Sequence, residues 1–202
     1  MAQSPALPQV GRPRSEQARR AVLHAVDDLL VEIGYAAMTI KGIAERAGVG
    51  RQTVYRWWST KAEILLEACV IDAASELHTP AQPDPQTELV VYLRALNTFL
   101  TSSPAGLSYR ALIGEAQHDL VVRDLVRSAN LLHASAHAVL DRVRTHRPEL
   151  PDDTLAAAQL IGPVITQVLT GQEPLADDAL RDHAATLLAG WNAGARPPRT
   201  TR

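Results

Sequence analysis

Apolar residues recur every three or four positions through most of this 202-residue chain, and this spacing restricts the possible fold most strongly. The predicted helix from Ser15 to Gly34 is an example of this spacing. Its apolar positions include Val22, Val26 and Ile33, which share one face of a helix. No segment shows the alternation of apolar and polar residues that predicts a half-buried strand. The sequence therefore predicts an all-α protein.

Breaks in the pattern divide the chain into four regions. Residues 1–14 contain three prolines and two arginines, which predicts a basic N-terminal arm. Residues 15–61 form a first helical domain, and residues 62–196 form a larger helical domain. Residues 197–202 are predicted to be a frayed tail. Within the larger domain, we predict that Thr87 caps a helix and that one long helix runs from about residue 119 to residue 145.

Charge is distributed unevenly between the two domains. Residues 1–61 carry nine Lys/Arg and five Asp/Glu, whereas residues 62–202 carry eleven and seventeen, so a net charge of -2 conceals a basic head and an acidic body. A basic head is typical of a domain that meets an anion such as nucleic acid. A solvated basic face with no such partner remains the alternative.

Several classes of protein are disfavoured by what the sequence contains. Cys69 is the only cysteine, which excludes a disulfide framework or a multi-cysteine zinc site within one chain. Residues 1–10 do not resemble a signal peptide, and polar residues and a proline interrupt the longest uncharged stretch, residues 154–172. We therefore expect a cytoplasmic protein that is not bound to a membrane. No G-x-S-x-G, P-loop or H-E-x-x-H motif occurs, so we expect neither an enzyme nor a bound cofactor.

Two other features have a weaker chemical interpretation. His133 and His137 have the i, i+4 spacing of metal ligands, but they flank an apolar stripe, so a solvated helix flank is favoured and no metal site is predicted. Cys69 borders the apolar face of its helix, where packing is favoured over redox sensing.

Two short helical segments joined by Gly48-Val49-Gly50 predict a helix-turn-helix. Thr39 would cap the first segment, and Gly48 would allow a tight turn. The second segment would present side chains of the types that contact DNA: Arg51, Gln52, Thr53, Tyr55 and Arg56. A dinucleotide-binding loop at the same glycines is disfavoured, because it would follow a strand and contain a third glycine.

Residues 39–61 resemble the DNA-binding signature of TetR (tetracycline-repressor-like) transcriptional regulators. The matching positions are Thr39, Ile43-Ala44, Ala47-Gly48-Val49, Thr53, Tyr55, Trp58 and Lys61. The resemblance is specific over residues 15–68. It departs from the family pattern at Gly50, where a serine cap is common.

The resemblance implies roles for individual residues of the head. Base edges would be contacted by Arg51, Gln52 and Tyr55. Phosphates would be held by Thr39, Thr53, Trp57 and Lys61, with Lys41 as a further candidate and Arg56 as a backbone or base contact. The N-terminal arm would place Arg12 and Arg14 in a minor groove.

The larger domain is expected to dimerise and to bind an effector. Its last two helices are apolar enough to pair with those of a second copy in a four-helix bundle. The predicted interface comprises Leu160, Ile161, Val164, Val168, Leu180, Ala184, Leu187, Leu188 and Trp191, with burial inside one chain as the alternative. Candidate effector-pocket residues are Tyr92, Asn97, Phe99, Tyr109, Arg110, Glu115 and His118.

The sequence thus predicts a homodimeric, ligand-responsive regulator, most simply a repressor, that binds double-stranded operator DNA and a small-molecule effector. The alternative is a helical binding module whose basic head meets an acidic protein or a membrane surface. Salt-sensitive, sequence-selective binding to DNA distinguishes the two functions.

Overall fold

The computed structural model describes residues 12–147 and 150–194, with side chains from residue 15 to residue 192. Within this part of the chain there are ten helices and no strand, which confirms the all-α prediction. The helices are α1 (Arg12–Ala37), α2 (Ile40–Arg46), α3 (Arg51–Tyr55), α4 (Lys61–Glu76), α5 (Pro85–Ser102), α6 (Pro104–Glu115), α7 (Leu120–Ala129), α8 (Leu131–His146), α9 (Asp153–Leu169) and α10 (Asp177–Gly194). None of the described helices is both long enough and apolar enough to cross a membrane.

The chain divides into two compact units, Met1–Ala68 and Cys69–Arg202. The boundary falls inside helix α4, later than the predicted end of the first domain at residue 61.

The first unit begins with helix α1, whose start at Arg12 precedes the predicted start at Ser15. Pro13 is compatible with this start, because the N–H that proline lacks has no intrahelical acceptor in a first turn. The arm residues 1–11, and the side chains of Arg12 and Arg14, lie outside the described residues. Helical geometry breaks at Gly34, whose positive φ of 74° is a conformation that glycine adopts without a Cβ penalty.

The core of the first unit is built from the apolar faces of its helices. Val22, Val26, Ile43, Val54 and Trp58 are all buried. They come from α1, α2, α3 and the turn after α3, so burial of their apolar surface holds these short helices in place.

The second unit is centred on helix α5, which packs against α6, α8, α9 and α10. Its core includes Leu93, Leu96 and Phe99 of α5, Leu132 of α8 and Leu160 of α9. Helix α9 is continuous through Pro163.

Helix α5 begins earlier than predicted. Asp84, not Thr87, is the N-cap, and its Oδ1 accepts a hydrogen bond from the Thr87 backbone N–H over 2.9 Å. Pro85 occupies the first helical position, where proline is favoured. Either Asp or Thr can cap a helix, and the proline between them decides in favour of Asp84.

The prediction of a single long helix over residues 119–145 is wrong. It is divided at Asn130, which has left-handed φ and ψ angles of 48° and 30° and separates α7 from α8. Asparagine tolerates this conformation better than most residues. The apolar stripe continues across the break, and periodicity alone therefore did not predict it.

Most of the predicted dimer-interface residues lie in the core of one chain. Leu160, Ile161, Val164, Leu180, Ala184, Leu188 and Trp191 are core residues of the second unit, and Val168 and Leu187 pack against that core. One chain already buries the first seven of these side chains, and Val168 and Leu187 are half-buried. The apolar faces of α9 and α10 pack against helix α5, whereas the sequence interpretation had them pack against a second copy of the chain.

Candidate nucleic-acid interface

A tight turn joins helices α2 and α3. Gly48 has a left-handed φ of 67°, and the Val49 N–H donates to the Ala44 carbonyl over 3.0 Å, as in a Schellman motif. At the other end of α2, the Thr39 Oγ1 accepts a hydrogen bond from the Gly42 N–H over 3.1 Å. The predicted cap and turn are thus both present.

Helix α3 presents its polar side chains to solvent. Arg51, Gln52 and Arg56 are exposed, and 54% of Tyr55 is accessible. Val54 is fully buried on the opposite side. Gly50 precedes the helix in an extended conformation and supplies no side-chain cap. The arrangement leaves a row of donors and acceptors free on an anchored helix.

The helix ends at Tyr55, before the two tryptophans. Trp58 is buried, while Trp57 is half-buried and meets Trp58 edge-on at 5.4 Å between ring centroids. The Arg56 guanidinium lies 4.7 Å from the centre of the Trp57 ring. Arg56 and Trp57 therefore form one cationic, aromatic surface beside α3.

Lys61 is engaged within the first unit. Its Nζ donates to the carbonyls of Tyr35 (2.7 Å) and Met38 (3.0 Å), and lies 4.2 Å from the centre of the Tyr35 ring. An ammonium group has three N–H donors, so only one is left for the predicted phosphate contact. Its geometry is that of a residue that closes the turn between α1 and α2.

The remaining phosphate candidates differ in their freedom. Lys41 is exposed and lies 3.8 Å from Glu45, an exposed ion pair of little energetic weight. Thr39 is exposed, although its hydroxyl oxygen serves the helix cap. Thr53 is half-buried in the first turns of α3.

Two networks of hydrogen bonds and ion pairs, which the sequence interpretation missed, support the recognition segment, residues 51–58. The Trp58 Nε1–H donates to Glu67 over 3.0 Å, and the same carboxylate lies 2.6 Å from Arg19. On the other side, Arg46 of α2 binds Glu32 of α1. That hydrogen bond lowers the pKa of the Glu32 carboxyl. The partners are separated by nine or more residues, so no local motif signals them.

The seven predicted effector-pocket residues are dispersed in the second unit. Tyr92 and Phe99 are in the core, where burial raises the pKa of the Tyr92 phenol well above its ordinary value. The Phe99 and Tyr109 rings lie 6.4 Å apart, and burial raises the pKa of Tyr109 to about 12. The Asn97 Nδ2 donates to the Leu175 carbonyl. Glu115 is half-buried, and His118 is exposed.

Two cavities of the second unit could hold small molecules. One, of about 240 Å³, lies between the end of α4 and α8, with Ser135 and Arg142 in its wall. The Ser135 hydroxyl is 2.8 Å from the Tyr92 hydroxyl, so Tyr92, a predicted pocket residue, lies behind this wall. The other, of about 560 Å³, lies between α6 and the end of α9, and Arg110 lines it.

The sequence also suggested two weaker chemical sites, a histidine pair and Cys69. Among the described residues, no group of three or more His, Cys, Asp or Glu side chains is arranged to hold a metal ion. Cys69 is buried, and its thiol lies 3.3 Å from the Ala105 carbonyl.

The fold and the exposed α3 define a helix-turn-helix DNA-binding protein. A family model described as bacterial regulatory proteins, tetR family, matches residues 22–68. The uncharacterized HTH-type transcriptional regulator YdeS of Bacillus subtilis (strain 168) is 30% identical over 187 residues, 91% of this chain and 94% of that protein. The chain belongs to the TetR family of transcriptional regulators.

Solved structures agree with this assignment. The TetR family transcription regulator SCO0332 matches with a TM-score of 0.72 and 31% identity, over 86% of this chain and 98% of that one. The flavonoid-responsive regulator FrrA shares the fold, with a TM-score of 0.63 and 20% identity over 90% of this chain and 98% of that one. The family consists of transcriptional regulators and not enzymes, as predicted.

Proposed function

We propose that this regulator is a cytoplasmic repressor that binds a pseudo-palindromic operator as a homodimer and is released by a small-molecule effector. The observation that carries the proposal is the exposed α3. Arg51, Gln52 and Tyr55 project from a helix whose opposite side is anchored through Val54. Arginine suits guanine and glutamine suits adenine in the major groove, so these side chains can read sequence.

Dimerisation is proposed through the faces of α9 and α10 that one chain leaves uncovered. On α9 the exposed positions include the small or apolar residues Leu155, Ala158, Pro163 and Thr166, and the half-buried Gly162 lies among them. On α10 they include Ala185, Ala189 and Gly190. Small side chains allow helices to approach closely, and a two-fold axis brings the same face of each copy together. A dimer would place two copies of α3 on half-sites about 34–36 Å apart.

Release by an effector is supported by the two cavities in the second unit. The larger has the volume of a typical small-molecule site, about 300–1,000 Å³. FrrA, which shares the fold, is named as flavonoid-responsive, and a ligand response by this chain is proposed on the same architecture. An effector that binds the DNA-free conformation more tightly would lower operator affinity by that differential affinity.

Fluorescence anisotropy with labelled DNA from upstream of the chain's own gene tests the DNA function. We expect a shifted, salt-sensitive isotherm, and a scrambled duplex of the same length should bind at least about a thousandfold more weakly at physiological salt. Equal affinity for both duplexes would contradict the proposal. Binding to anionic lipid vesicles or to an acidic protein, without selective DNA binding, would instead support the alternative function.

A reporter gene placed behind the same DNA tests the sign of regulation. Co-expression of the wild-type chain should lower reporter output, and the Arg51→Ala variant should restore it. An increase of output with wild type would identify an activator and contradict the repressor assignment.

A further inference from the structure

We propose that the cavity between α6 and α9 binds a monocarboxylate with an aliphatic body, and that Arg110 anchors the carboxylate. This inference deepens the proposed function, because it assigns the chemical class of the effector. It rests on the lining of the cavity and on the unusual state of one arginine.

The cavity has aliphatic walls and one charged group. Leu107, Ala111 and Ile113 of α6 line it together with Val168 and Leu169 near the end of α9, and Arg110 is the charged residue among its lining residues. The Gln117 amide, also in the lining, already donates to the Ile113 carbonyl over 3.1 Å. Among the described residues, the cavity therefore combines an apolar surface with one guanidinium group.

Arg110 differs from its neighbours because no acceptor for its guanidinium occurs among the described residues. The other arginines in the described part of the second unit all donate to an acidic side chain, an amide oxygen or a carbonyl: Arg94, Arg123, Arg127, Arg142, Arg144, Arg147 and Arg181. The Nε–H of Arg110 is shielded from solvent and meets no acceptor within the described residues. A ligand oxygen is about the size of water and cannot reach this Nε–H either, so the contact must come from the two Nη groups, for which no acceptor occurs among the described residues.

The chemistry of the guanidinium selects the ligand. Its two Nη groups form a planar fork that matches the two oxygens of a carboxylate. One cation balances one negative charge, whereas a quaternary ammonium in the same place would be repelled. The aliphatic walls favour a hydrocarbon body over an extended polar one.

Three probes, each with eight carbons in its straight chain, separate charge from hydrophobic contact: octanoate, octanol and octyltrimethylammonium. Isothermal titration of the full chain at pH 7.5 should show octanoate binding at least about tenfold more tightly than the other two, as a charge-assisted pair implies. Equal affinity for the three probes, or preference for the ammonium, would overturn the proposal.

Substitutions test the anchor. Arg110→Gln should weaken octanoate binding by about tenfold or more and leave octanol binding unchanged, whereas Arg110→Lys should retain part of the preference because it keeps the charge. Arg127→Gln is the matched control, since it removes an equal charge from an exposed side chain of the same unit. If Arg110→Gln and Arg127→Gln bind octanoate alike, Arg110 is not the anchor.

Filling the cavity tests the location. A Cβ added at Gly114, which lines the cavity, meets no atom within 4 Å, so Gly114→Leu should occupy space without straining the helix. We expect unchanged circular dichroism and a loss of octanoate binding. Unaltered binding by this folded variant would place the carboxylate elsewhere and overturn the assignment.

Operator binding is measured on the same samples, with and without octanoate. Selective operator binding, together with release by a ligand that does not need Arg110, would leave the proposed function intact and overturn only this inference. Arg110-dependent octanoate binding without any operator binding would support the carboxylate site and contradict the proposed function.

Discussion

The indole N–H of Trp58 is hydrogen-bonded to the carboxylate of Glu67 at 3.0 Å, and this contact ties the end of the recognition segment to helix α4. Trp58 is buried, and Glu67 also pairs with Arg19 of α1. One carboxylate thus connects three parts of the first unit. The α3 helix has only five residues, so its position depends on such tertiary contacts more than on its own helical stability.

Replacement of Glu67 by Leu should destabilise the first unit. The Trp58 N–H would lose its acceptor in a part-buried environment, which costs about 1–3 kcal/mol in unfolding free energy. Urea denaturation followed by tryptophan fluorescence measures this loss. Glu16→Leu is the control, because Glu16 is exposed and its carboxylate makes only a long contact of 3.9 Å with Arg19. Equal stability of the two variants would show that the indole contact contributes nothing.

Lys61→Met should act through stability and not through phosphate. The substitution leaves the Tyr35 and Met38 carbonyls without their shared donor and is expected to cost about 1–3 kcal/mol. Denaturation measures that cost, and DNA titration at several salt concentrations measures the phosphate role. If Lys61 holds a phosphate, its loss would reduce the slope of log affinity against log salt concentration by about one. An unchanged slope with lowered stability supports the structural role, and the reverse pattern contradicts it.

The sequence was sufficient to predict the all-α class and the helix-turn-helix, because both rest on local rules. Thr39 caps α2 and Gly48 turns the chain with a positive φ, as their residue types require. These signals lie within a few residues of their effects. Long-range pairs such as Trp58–Glu67 have no such signal, and neither does the engagement of Lys61 by two carbonyls.

Burial was harder to predict than secondary structure. Helix α9 is apolar on several faces, so periodicity did not reveal which face packs on α5 and which remains free. The bulkier residues, such as Leu160 and Val164, fill the core of one chain, whereas the smaller Ala158 is exposed and Gly162 is half-buried. Side-chain volume, together with hydrophobicity, would have improved the choice.

Arg51→Ala should relax sequence specificity. Arg51 is exposed at the first position of α3, where a bidentate contact to guanine contributes about 1–3 kcal/mol of discrimination. Anisotropy titrations against operators with every base substituted in turn should show lost selectivity at one position in each half-site. Arg127→Ala, which removes an exposed arginine from the second unit, should leave the profile unchanged. Uniform weakening across all operators would assign Arg51 to the phosphate backbone instead.

Asp177 should make stability depend on pH in the acidic range. The hydrogen bond from Arg94 is the main reason why the pKa of Asp177 lies below its ordinary 3.8. A lowered pKa stabilises the folded state above the unfolded value, and this contribution is lost as pH falls through the folded value. The stability gap between wild type and Asp177→Asn should therefore be constant from pH 5 to 7 and shrink below about pH 4. Urea denaturation at each pH measures it, and a gap that widens in acid would contradict the assignment.

Gly162→Glu should separate the proposed dimer into monomers. Gly162 is half-buried beside the exposed Pro163 of α9, and a Cβ there meets no atom within 4 Å in its own chain, so a single chain accommodates the substitution. In a two-fold dimer the two introduced carboxylates would lie on the same shared face, unpaired and partly desolvated.

Sedimentation velocity should therefore show a dimer for wild type and a monomer for Gly162→Glu, with unchanged helical content. Ser128→Glu is the control, because it introduces the same side chain at an exposed position of α7, outside α9 and α10 and outside the cavity. The monomeric variant should also bind the operator more weakly, since each α3 then meets its half-site alone and loses the effective concentration that linkage provides. If Gly162→Glu remains dimeric, the second copy pairs through another surface, and the exposed face of α9 has a different role.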